Sequence, residues 1–313
     1  MKKKILITGG AGYIGSMLAT KLVEDGHFVT VIDIMKYNKT SLNHLFIHKN
    51  FKLVNENVLN YKKIKKYINK NEYIIPLAAL VGAPLCEKNK KLANDLNYKI
   101  IKKIVKNLNP RKHKLIYPTT NSGYGIGEKN KFCDENSPLN PISIYGVTKV
   151  LAEKEVLKFK NSVSLRLATV FGFSYRMRSD LIVNNFVNTA IKTKKLSIFE
   201  PSFRRNFIHI LDIVAAFKFI IKNFKKVRNN IYNLGLSSAN ITKLDLAKKI
   251  KKSVPGCKVI VNNNKKDPDQ RDYFVSNKKI EKKGFKASIT LEEGISELIQ
   301  IFSNDKNKVI NNY

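Results

Sequence analysis

The sequence predicts an α/β fold in which a doubly wound parallel sheet carries a smaller mixed C-terminal lobe. Two observations predict it. Short apolar runs alternate with stretches of helical periodicity over the first half of the chain, and this rhythm becomes irregular after about residue 170. A length of 313 residues allows a large core and two lobes. We therefore expect a first domain at 1–170 and a substrate lobe at 171–313, with some segments of the second returning to the sheet.

Strands of the first domain are predicted where an apolar run is short and continuous, as in a sheet buried on both faces. These runs are 4–8, 28–33, 51–54, 73–77 and 114–117. Helices are predicted at 13–24, 61–69, 92–108 and 144–159, where apolar residues recur every three to four positions. Strands that alternate with helices favour a parallel sheet with right-handed crossovers. In the second lobe we expect helices at 180–195, 211–224, 243–253 and 291–303, and a strand at 231–234.

The charge balance is strongly basic, with 58 Lys and Arg against 24 Asp and Glu and a net charge of +34. Most of the basic residues are lysines scattered along the chain, which is typical of a solvated surface. Arginine supplies the planar fork that binds phosphate, and there are only eight. Six of them are Arg166, Arg176, Arg178, Arg204, Arg205 and Arg271. This distribution indicates one local anion site, and nucleic-acid binding is the less favoured interpretation.

The sequence shows no membrane span, no signal peptide and no paired cysteines, and these absences bear on the expected compartment and redox chemistry. No apolar run approaches the roughly 20 residues that cross a bilayer, and the apolar stretch after the first lysines is too short for a signal peptide. We expect a cytoplasmic protein. Cys86, Cys133 and Cys257 are far apart and odd in number, so we expect buried free thiols and neither a disulfide framework nor a metal site.

The turn between the first strand and helix carries the first chemical motif, Thr-Gly-Gly-Ala-Gly-Tyr-Ile-Gly at 8–15. Gly9, Gly12 and Gly15 fit the requirements of a pyrophosphate at a helix N-terminus: a tight turn, close approach and close helix packing. This motif predicts a Rossmann-type domain. Asp33, at the end of the second strand, can accept hydrogen bonds from ribose hydroxyls and would repel a 2′-phosphate, which favours NAD over NADP. Lys36 is the nearby residue that argues the other way.

Tyr145 and Lys149 form the second motif. Positions four apart share a helix face, so we expect the ammonium to lie near the phenol and to lower its pKa, which makes tyrosine a usable base. Thr120 lies where the fifth strand ends, the edge at which open α/β sheets present functional groups. Its hydroxyl is expected to hold the oxygen that Tyr145 deprotonates.

Several stretches together resemble the extended short-chain dehydrogenases/reductases that act on nucleotide sugars: the glycine turn, Ala78-Ala79, the Thr120–Tyr145–Lys149 set, RLATVFG at 166–172, RRNFIHI at 204–210 and QRD at 270–272. The resemblance implies catalysis by Thr120, Tyr145 and Lys149. It implies NAD binding by Gly9, Gly12, Tyr13, Ile14, Gly15, Asp33, Asn57, Val58, Leu77, Ala78, Ala79, Tyr145, Lys149 and Ala168. It implies substrate binding by Asn121, Ser122, Arg176, Arg178, Arg205 and Arg271. For Arg176, Arg178 and Arg204, a plain salt bridge is an equally open interpretation.

The departures from the family pattern narrow the expected reaction. Asn121 and Ser122 stand where the dehydratases carry an Asp-Glu pair, so water elimination lacks its acid and base. Simple redox chemistry at C4 of the sugar remains, as net oxidation or as C4 epimerisation. Within the family, stretches such as YPTTNSGYGIGE resemble enzymes that oxidise C4 of a GDP-linked heptose in bacterial capsule biosynthesis. The resemblance also implies a homodimer formed through the helices at 92–108 and 144–159. A non-catalytic RNA-binding or redox-sensing protein on the same fold is the alternative from another class.

Overall fold

The computed structural model describes residues 1–128, 131–262 and 271–304. Its strands, numbered in chain order, are β1 Lys4–Thr8, β2 Phe28–Asp33, β3 Phe51–Asn55, β4 Tyr73–Pro76, β5 Lys114–Thr120, β6 Phe132–Cys133, β7 Ser162–Leu167, β8 Thr169–Phe171, β9 Lys195–Ile198, β10 Arg204–His209, β11 Asn230–Leu234, β12 Asn240–Thr242, β13 Lys258–Val261 and β14 Phe274–Val275. Its α-helices are α1 Tyr13–Glu24, α2 Tyr61–Lys70, α3 Ala83–Lys88, α4 Lys90–Asn94, α5 Ile100–Lys106, α6 Ile144–Leu157, α7 Ile182–Thr193, α8 Ile210–Lys222, α9 Phe224–Val227, α10 Lys243–Ser253, α11 Lys278–Glu281 and α12 Leu291–Asn304.

The main sheet is parallel throughout and has the order β3-β2-β1-β4-β5-β7-β11 over the described residues. The order reverses between β1 and β4, which is where a doubly wound sheet opens a crevice for a ligand. The predicted fold class is therefore confirmed. The strand β11 comes from the second half of the chain and pairs with β7 at the edge of the main sheet.

Apolar residues on alternate positions of β1 build the two sides of the core. Ile5 and Ile7 pack in a cluster that also contains residues of α1 and α8. Leu6 points to the opposite face and packs in the cluster of α2, α5 and α6. All three side chains are fully buried, which explains why the strand is continuously apolar.

The second lobe consists of small sheets and helices at the carboxyl end of the main sheet. The strands β8, β10 and β12 form one sheet, while β9 pairs with β13 and β6 pairs with β14. The helices α7, α10 and α12 contact one another and the strands beside them. Within the described ranges, no helix combines the length and the apolar character that a membrane span requires.

The predicted helix at 92–108 differs most from the structure. It is divided into α4, a π-helical segment at Asp95–Lys99, and α5. The side-chain amide of Asn97 accepts a hydrogen bond from the backbone N–H of Leu80 (2.8 Å) and donates to its carbonyl (2.9 Å). Asn97, which makes these two long-range hydrogen bonds, lies within the π-helical segment. Such π-bulges are frequent near functional sites.

Candidate active site

A cleft of about 870 Å³ lies where the strands of the main sheet end and the second lobe covers them. Its wall contains every predicted site residue except Asn121. These lining residues are Gly9, Gly12, Tyr13, Ile14, Gly15, Asp33, Asn57, Val58, Leu77, Ala78, Ala79, Thr120, Ser122, Tyr145, Lys149, Ala168, Arg176, Arg178, Arg205 and Arg271. One continuous cleft therefore brings together residues separated by more than half of the chain.

The glycine turn connects β1 to α1 under tight steric limits. Gly9 has φ +72°, and a Cβ there would lie 2.5 Å from the backbone nitrogen of Ala78. A Cβ at Gly15 would lie 2.3 Å from the carbonyl oxygen of Gly9. Gly12 is the N-cap of α1, and no side chain caps the helix. The first amides of α1 are thus left facing the cleft, an arrangement that suits an anion.

Asp33 ends β2 beside this turn. Its carboxylate accepts hydrogen bonds from the backbone N–H groups of Ala11 (2.9 Å) and Met35 (2.8 Å). Burial raises its pKa, although these bonds act in the opposite direction. Because each carboxylate oxygen retains a second acceptor site, the group fits the ribose hydroxyls of a dinucleotide.

The helix α6 places Tyr145 in its first turn, and the N-cap Ser143 accepts a hydrogen bond from Gly146 N (3.1 Å). Burial raises the pKa of Tyr145 to about 12, and Cys86 contributes in the same direction. The charges of Arg271 and Arg178 and a hydrogen bond with Thr120 counteract the increase. The phenol is thus protonated at neutral pH in this state.

The contacts of the Lys149 amine differ from those that the sequence predicted. Its Nζ donates to the carbonyl oxygen of Pro118 (2.6 Å) and lies 4.2 Å from the ring centroid of Tyr117. Burial lowers the pKa of Lys149 to about 7. The expected lowering of the Tyr145 pKa by this amine is therefore not found, because the amine donates to β5 and burial reduces the charge that it carries at neutral pH.

Thr120 and Ser122 form a hydroxyl pair at the end of β5. Their Oγ atoms lie 2.8 Å apart, and the backbone N–H of Ser122 donates to Thr120 Oγ1 (3.1 Å). The Arg271 guanidinium also donates to Ser122 Oγ. The site thus holds two fixed hydroxyls under a cation, a set that can hold a substrate oxygen. Gln270, which belongs to the same family stretch as Arg271, lies outside the described residues.

Asn121 does not reach this cleft. Its side chain is 1 % exposed, does not line the wall, and neither Nδ2 nor Oδ1 has a hydrogen-bond partner among the described residues. The 3₁₀ turn at Asn121–Tyr124 directs it into the protein, while Ser122 faces the cleft. The predicted contact between Asn121 and substrate is therefore not supported by the structure.

The predicted arginines occupy different surroundings. Arg178 lines the cleft and is paired with Asp180. Arg204 does not line it and is paired with Asp272 at 2.8 Å. Arg205 lines the wall and is buried. Arg204 is thus held by a salt bridge away from the cleft, whereas Arg178 combines a salt bridge with a place in the cleft wall.

Sequence reasoning missed part of the wall. The missed residues are mostly apolar and come from loops, from α3 and from α7, namely Leu80, Val81, Pro84, Leu181, Phe186 and Phe199. Lys243 was also missed, a buried residue at the start of α10. No local motif marks these positions. Leu80, Val81 and Pro84 follow β4 in the first domain, and the others reach the cleft through packing of the second half of the chain against the sheet.

Comparison with known proteins agrees with this geometry. Residues 5–235 match the NAD dependent epimerase/dehydratase family. UDP-glucuronic acid decarboxylase 1 of Danio rerio is 28% identical over 327 residues, covering 99% of this chain and 75% of the relative. A putative UDP-glucose 4-epimerase of Methanocaldococcus jannaschii is 27% identical, covering 96% and 99%. The structure of UDP-glucuronic acid 4-epimerase from Bacillus cereus with UDP-glucuronic acid and NAD superposes with a TM-score of 0.84 at 24% identity, covering 97% and 99%.

Proposed function

Since this chain belongs to the NAD dependent epimerase/dehydratase family, we propose that it oxidises the C4 hydroxyl of a nucleoside diphosphate sugar to a ketone. Family membership confirms the NAD dependence that Asp33 predicted. The observation that carries the proposal is the position of the Tyr145 phenol beside the Thr120 hydroxyl, in a cleft that runs from the glycine turn to Arg205 and Arg271.

The residues divide the chemistry between them. Thr120 and Ser122 hold the sugar hydroxyl, and Tyr145 accepts its proton as the C–H bond breaks. Bound NAD would supply the hydride acceptor. Tyr145 can accept this proton only as the phenolate, after its own proton has passed to solvent. Because burial raises its pKa to about 12, a nearby positive charge is required to stabilise the phenolate. Arg271, Arg178 and a reoriented Lys149 are the groups of the cleft that would provide it.

The cleft residues are arranged in an order that suits a dinucleotide. The amides of Tyr13 and Ile14 would bind the pyrophosphate, and Asp33 would bind the adenosine ribose. The resemblance assigns the adenine side to Asn57 and Val58, the middle of the cofactor to Leu77, Ala78, Ala79 and Ala168, and the nicotinamide ribose to Lys149.

The acidic residues of the cleft support oxidation over elimination. Among the described residues that line it, the acids are Asp33, Glu56 and Asp180. Asp33 belongs to the cofactor end, and Asp180 is held by Arg178. None lies next to Thr120 in sequence, where Ser122 bonds to Arg271 instead. Removal of water from the sugar would lack a positioned acid and base.

The sugar nucleotide is a finer part of the proposal. Arg205 and Arg271 are placed to bind its diphosphate, a role in which paired guanidinium forks are effective. Sequence resemblance favours a GDP-linked heptose of capsule biosynthesis. C4 epimerisation is the second candidate, because the same residues could return the hydride to the other face of the ketone, and two of the relatives above carry that activity in their names.

A homodimer is part of the same proposal. Val147 and Leu151 lie one turn apart on the same face of α6 and are more than one third exposed. An apolar stripe of this kind on a helix fits pairing with a second copy. Light scattering should give twice the chain mass, and Leu151→Glu should reduce it to a single chain.

The test is a panel of GDP- and UDP-linked sugars in deuterium oxide, read by mass spectrometry and by the absorbance of reduced nicotinamide. Net oxidation removes two mass units, epimerisation leaves the mass unchanged with a new configuration, and solvent deuterium indicates enolisation. Tyr145→Phe should reduce turnover by about 10³-fold, because the base is lost. Retention of RNA at moderate salt without turnover would favour the binding-protein alternative.

A further inference from the structure

Arg176 is a buried cation whose hydrogen-bonding capacity is largely unused. The residue is 1 % exposed and lines the cleft. Its Nε and Nη2 have no hydrogen-bond partner among the described residues. Leaving buried charged donors unsatisfied is expensive, so such a group in a cleft indicates a missing anionic ligand.

A segment of the second lobe, residues 172–176, holds Arg176 over the first domain; we call this segment the strap. The carbonyl of Gly172 accepts a hydrogen bond from Tyr13 Oη (2.6 Å). Ser174 Oγ donates to the carbonyl of Tyr13 (2.7 Å) and lies 3.0 Å from Ser16 Oγ. The strap is thus bound to the first turn of α1, where the amides face the cleft.

The end of the strap lies on the loop after β2. The ring of Tyr175 stacks on His44 with the centroids 4.1 Å apart, and the guanidinium of Arg176 lies 4.7 Å from the ring centroid of Tyr37. This loop follows Asp33 directly. The two contacts therefore fix Arg176 near the cofactor end of the cleft.

The charges around Arg176 agree with that placement. Burial lowers its pKa, and the neighbouring Arg178 acts in the same direction, while Asp180, Tyr37 and Asp33 counteract them. In turn, Arg176 is the charge that lowers the pKa of Asp33, against the effect of burial. The guanidinium is thus close enough to interact with the residue that faces the adenosine ribose.

We propose that Arg176 binds the pyrophosphate of the dinucleotide cofactor, opposite the amides at the N-terminus of α1. This differs from the sequence prediction, which assigned Arg176 to the sugar nucleotide. The proposal rests on the NAD dependence of the proposed function and adds a residue of the second lobe to the cofactor site. The 2′-phosphate of NADP is the less suitable anion, because it would lie beside the Asp33 carboxylate and be repelled by it.

Calorimetric titration of the cofactor-free protein tests the assignment. Arg176→Met should weaken NAD binding by about 10- to 100-fold, since charge-assisted hydrogen bonds are lost, and should leave adenosine binding unchanged. Arg176→Lys should give an intermediate loss, because it keeps the charge without the fork. Arg228→Met makes the same chemical change at an exposed arginine bonded to Asn161, outside the cleft, and should bind NAD normally.

GDP and UDP titrated into NAD-saturated protein separate the two assignments. Unchanged affinity for both in Arg176→Met supports the proposal. Weaker GDP or UDP binding with normal NAD binding would overturn it in favour of the substrate role, and no change in any titration would leave Arg176 a structural residue. A selective loss of NADP binding would identify the 2′-phosphate instead.

Folding of the variant is checked by thermal unfolding. Without cofactor, Arg176→Met should be at least as stable as the parent, because it removes a buried charge whose donors are unpaired, whereas the stabilisation by added NAD should be smaller. Failure of every nucleotide sugar to react would contradict the proposed function but not this binding result.

Discussion

Arg166 and Arg176 are both almost fully buried, yet their surroundings differ completely. Arg166 donates to both carboxylate oxygens of Glu153, with Nη2 to Oε1 at 2.7 Å, and to the hydroxyl of Tyr124 (3.0 Å). Arg176 has two donor atoms without partners among the described residues. Arg166 lies behind the cleft between β7 and α6, and Arg176 faces into it. Burial alone therefore does not distinguish these two arginines, whereas their hydrogen bonds do.

Replacement of Arg166 is expected to have the largest effect on stability. Among the described residues, Arg166→Met leaves buried Glu153 with only the Ser164 hydroxyl as a donor at 2.9 Å, so the free energy of unfolding should fall by about 3–5 kcal/mol. Urea denaturation of the cofactor-free protein measures it. The double variant Arg166→Met, Glu153→Met should recover most of the loss. A single variant as stable as Arg176→Met would remove the contrast between the two arginines.

Lys149 extends the comparison to a buried amine. Its hydrogen bond goes to the Pro118 carbonyl, and its pKa of about 7 lies below the ordinary 10.5. Lys149→Met should abolish turnover and yet raise the free energy of unfolding at pH 7, by on the order of 3 kcal/mol, because a costly buried charge is removed.

The stability difference between Lys149→Met and the parent protein should depend on pH. Between pH 7 and 10.5 the unfolded chain binds more protons at Lys149 than the folded protein, so the parent gains stability as pH rises. The advantage of Lys149→Met should therefore shrink by up to about 1.4 kcal/mol per pH unit in that window. The free energy of unfolding is measured by urea denaturation at several pH values. If it depended on pH equally in the two proteins, the pKa of Lys149 would not be lowered in the folded state.

The smallest effect is expected at Arg204, whose pair with Asp272 is partly solvated. Burial raises the pKa of Asp272, but hydrogen bonds from Arg204 lower it further, to below its ordinary value. Arg204→Met should cost about 1 kcal/mol at pH 7, and the cost should vanish as Asp272 is protonated in acid. Thermal unfolding over a series of pH values falling from 7 checks both statements, and a cost that does not decrease as the pH falls would assign it to packing.

The parts of the fold that follow local patterns were predictable from the sequence. The helices α1 and α10 begin and end as predicted, and the glycine turn indicated its chemistry because its steric limits arise within a few residues. The break at Asp95–Lys99 was not predictable, since Asn97 is fixed by Leu80 from another part of the chain.

The same distinction applies to the site. Tyr145 and Lys149 could be proposed together because a helical turn relates them, but the direction of the Lys149 amine depends on Pro118 and Tyr117 of β5. The surroundings of Arg176 depend on Tyr37, a residue distant in sequence that the strap brings close. The sequence therefore identifies groups capable of chemistry, whereas their partners arise only from tertiary packing.

The strand β11 has a consequence for the synthesis of this protein. It pairs with β7 along its full length, although the second lobe's β8, α7, β9, β10, α8 and α9 are made between them. Until β11 leaves the ribosome, the nascent Rossmann domain has β7 as an open edge, the kind of surface that pairs wrongly with other chains. A gene cut after the first domain should accordingly yield aggregates, and splitting the protein into its lobes would require β11 to be supplied with the first.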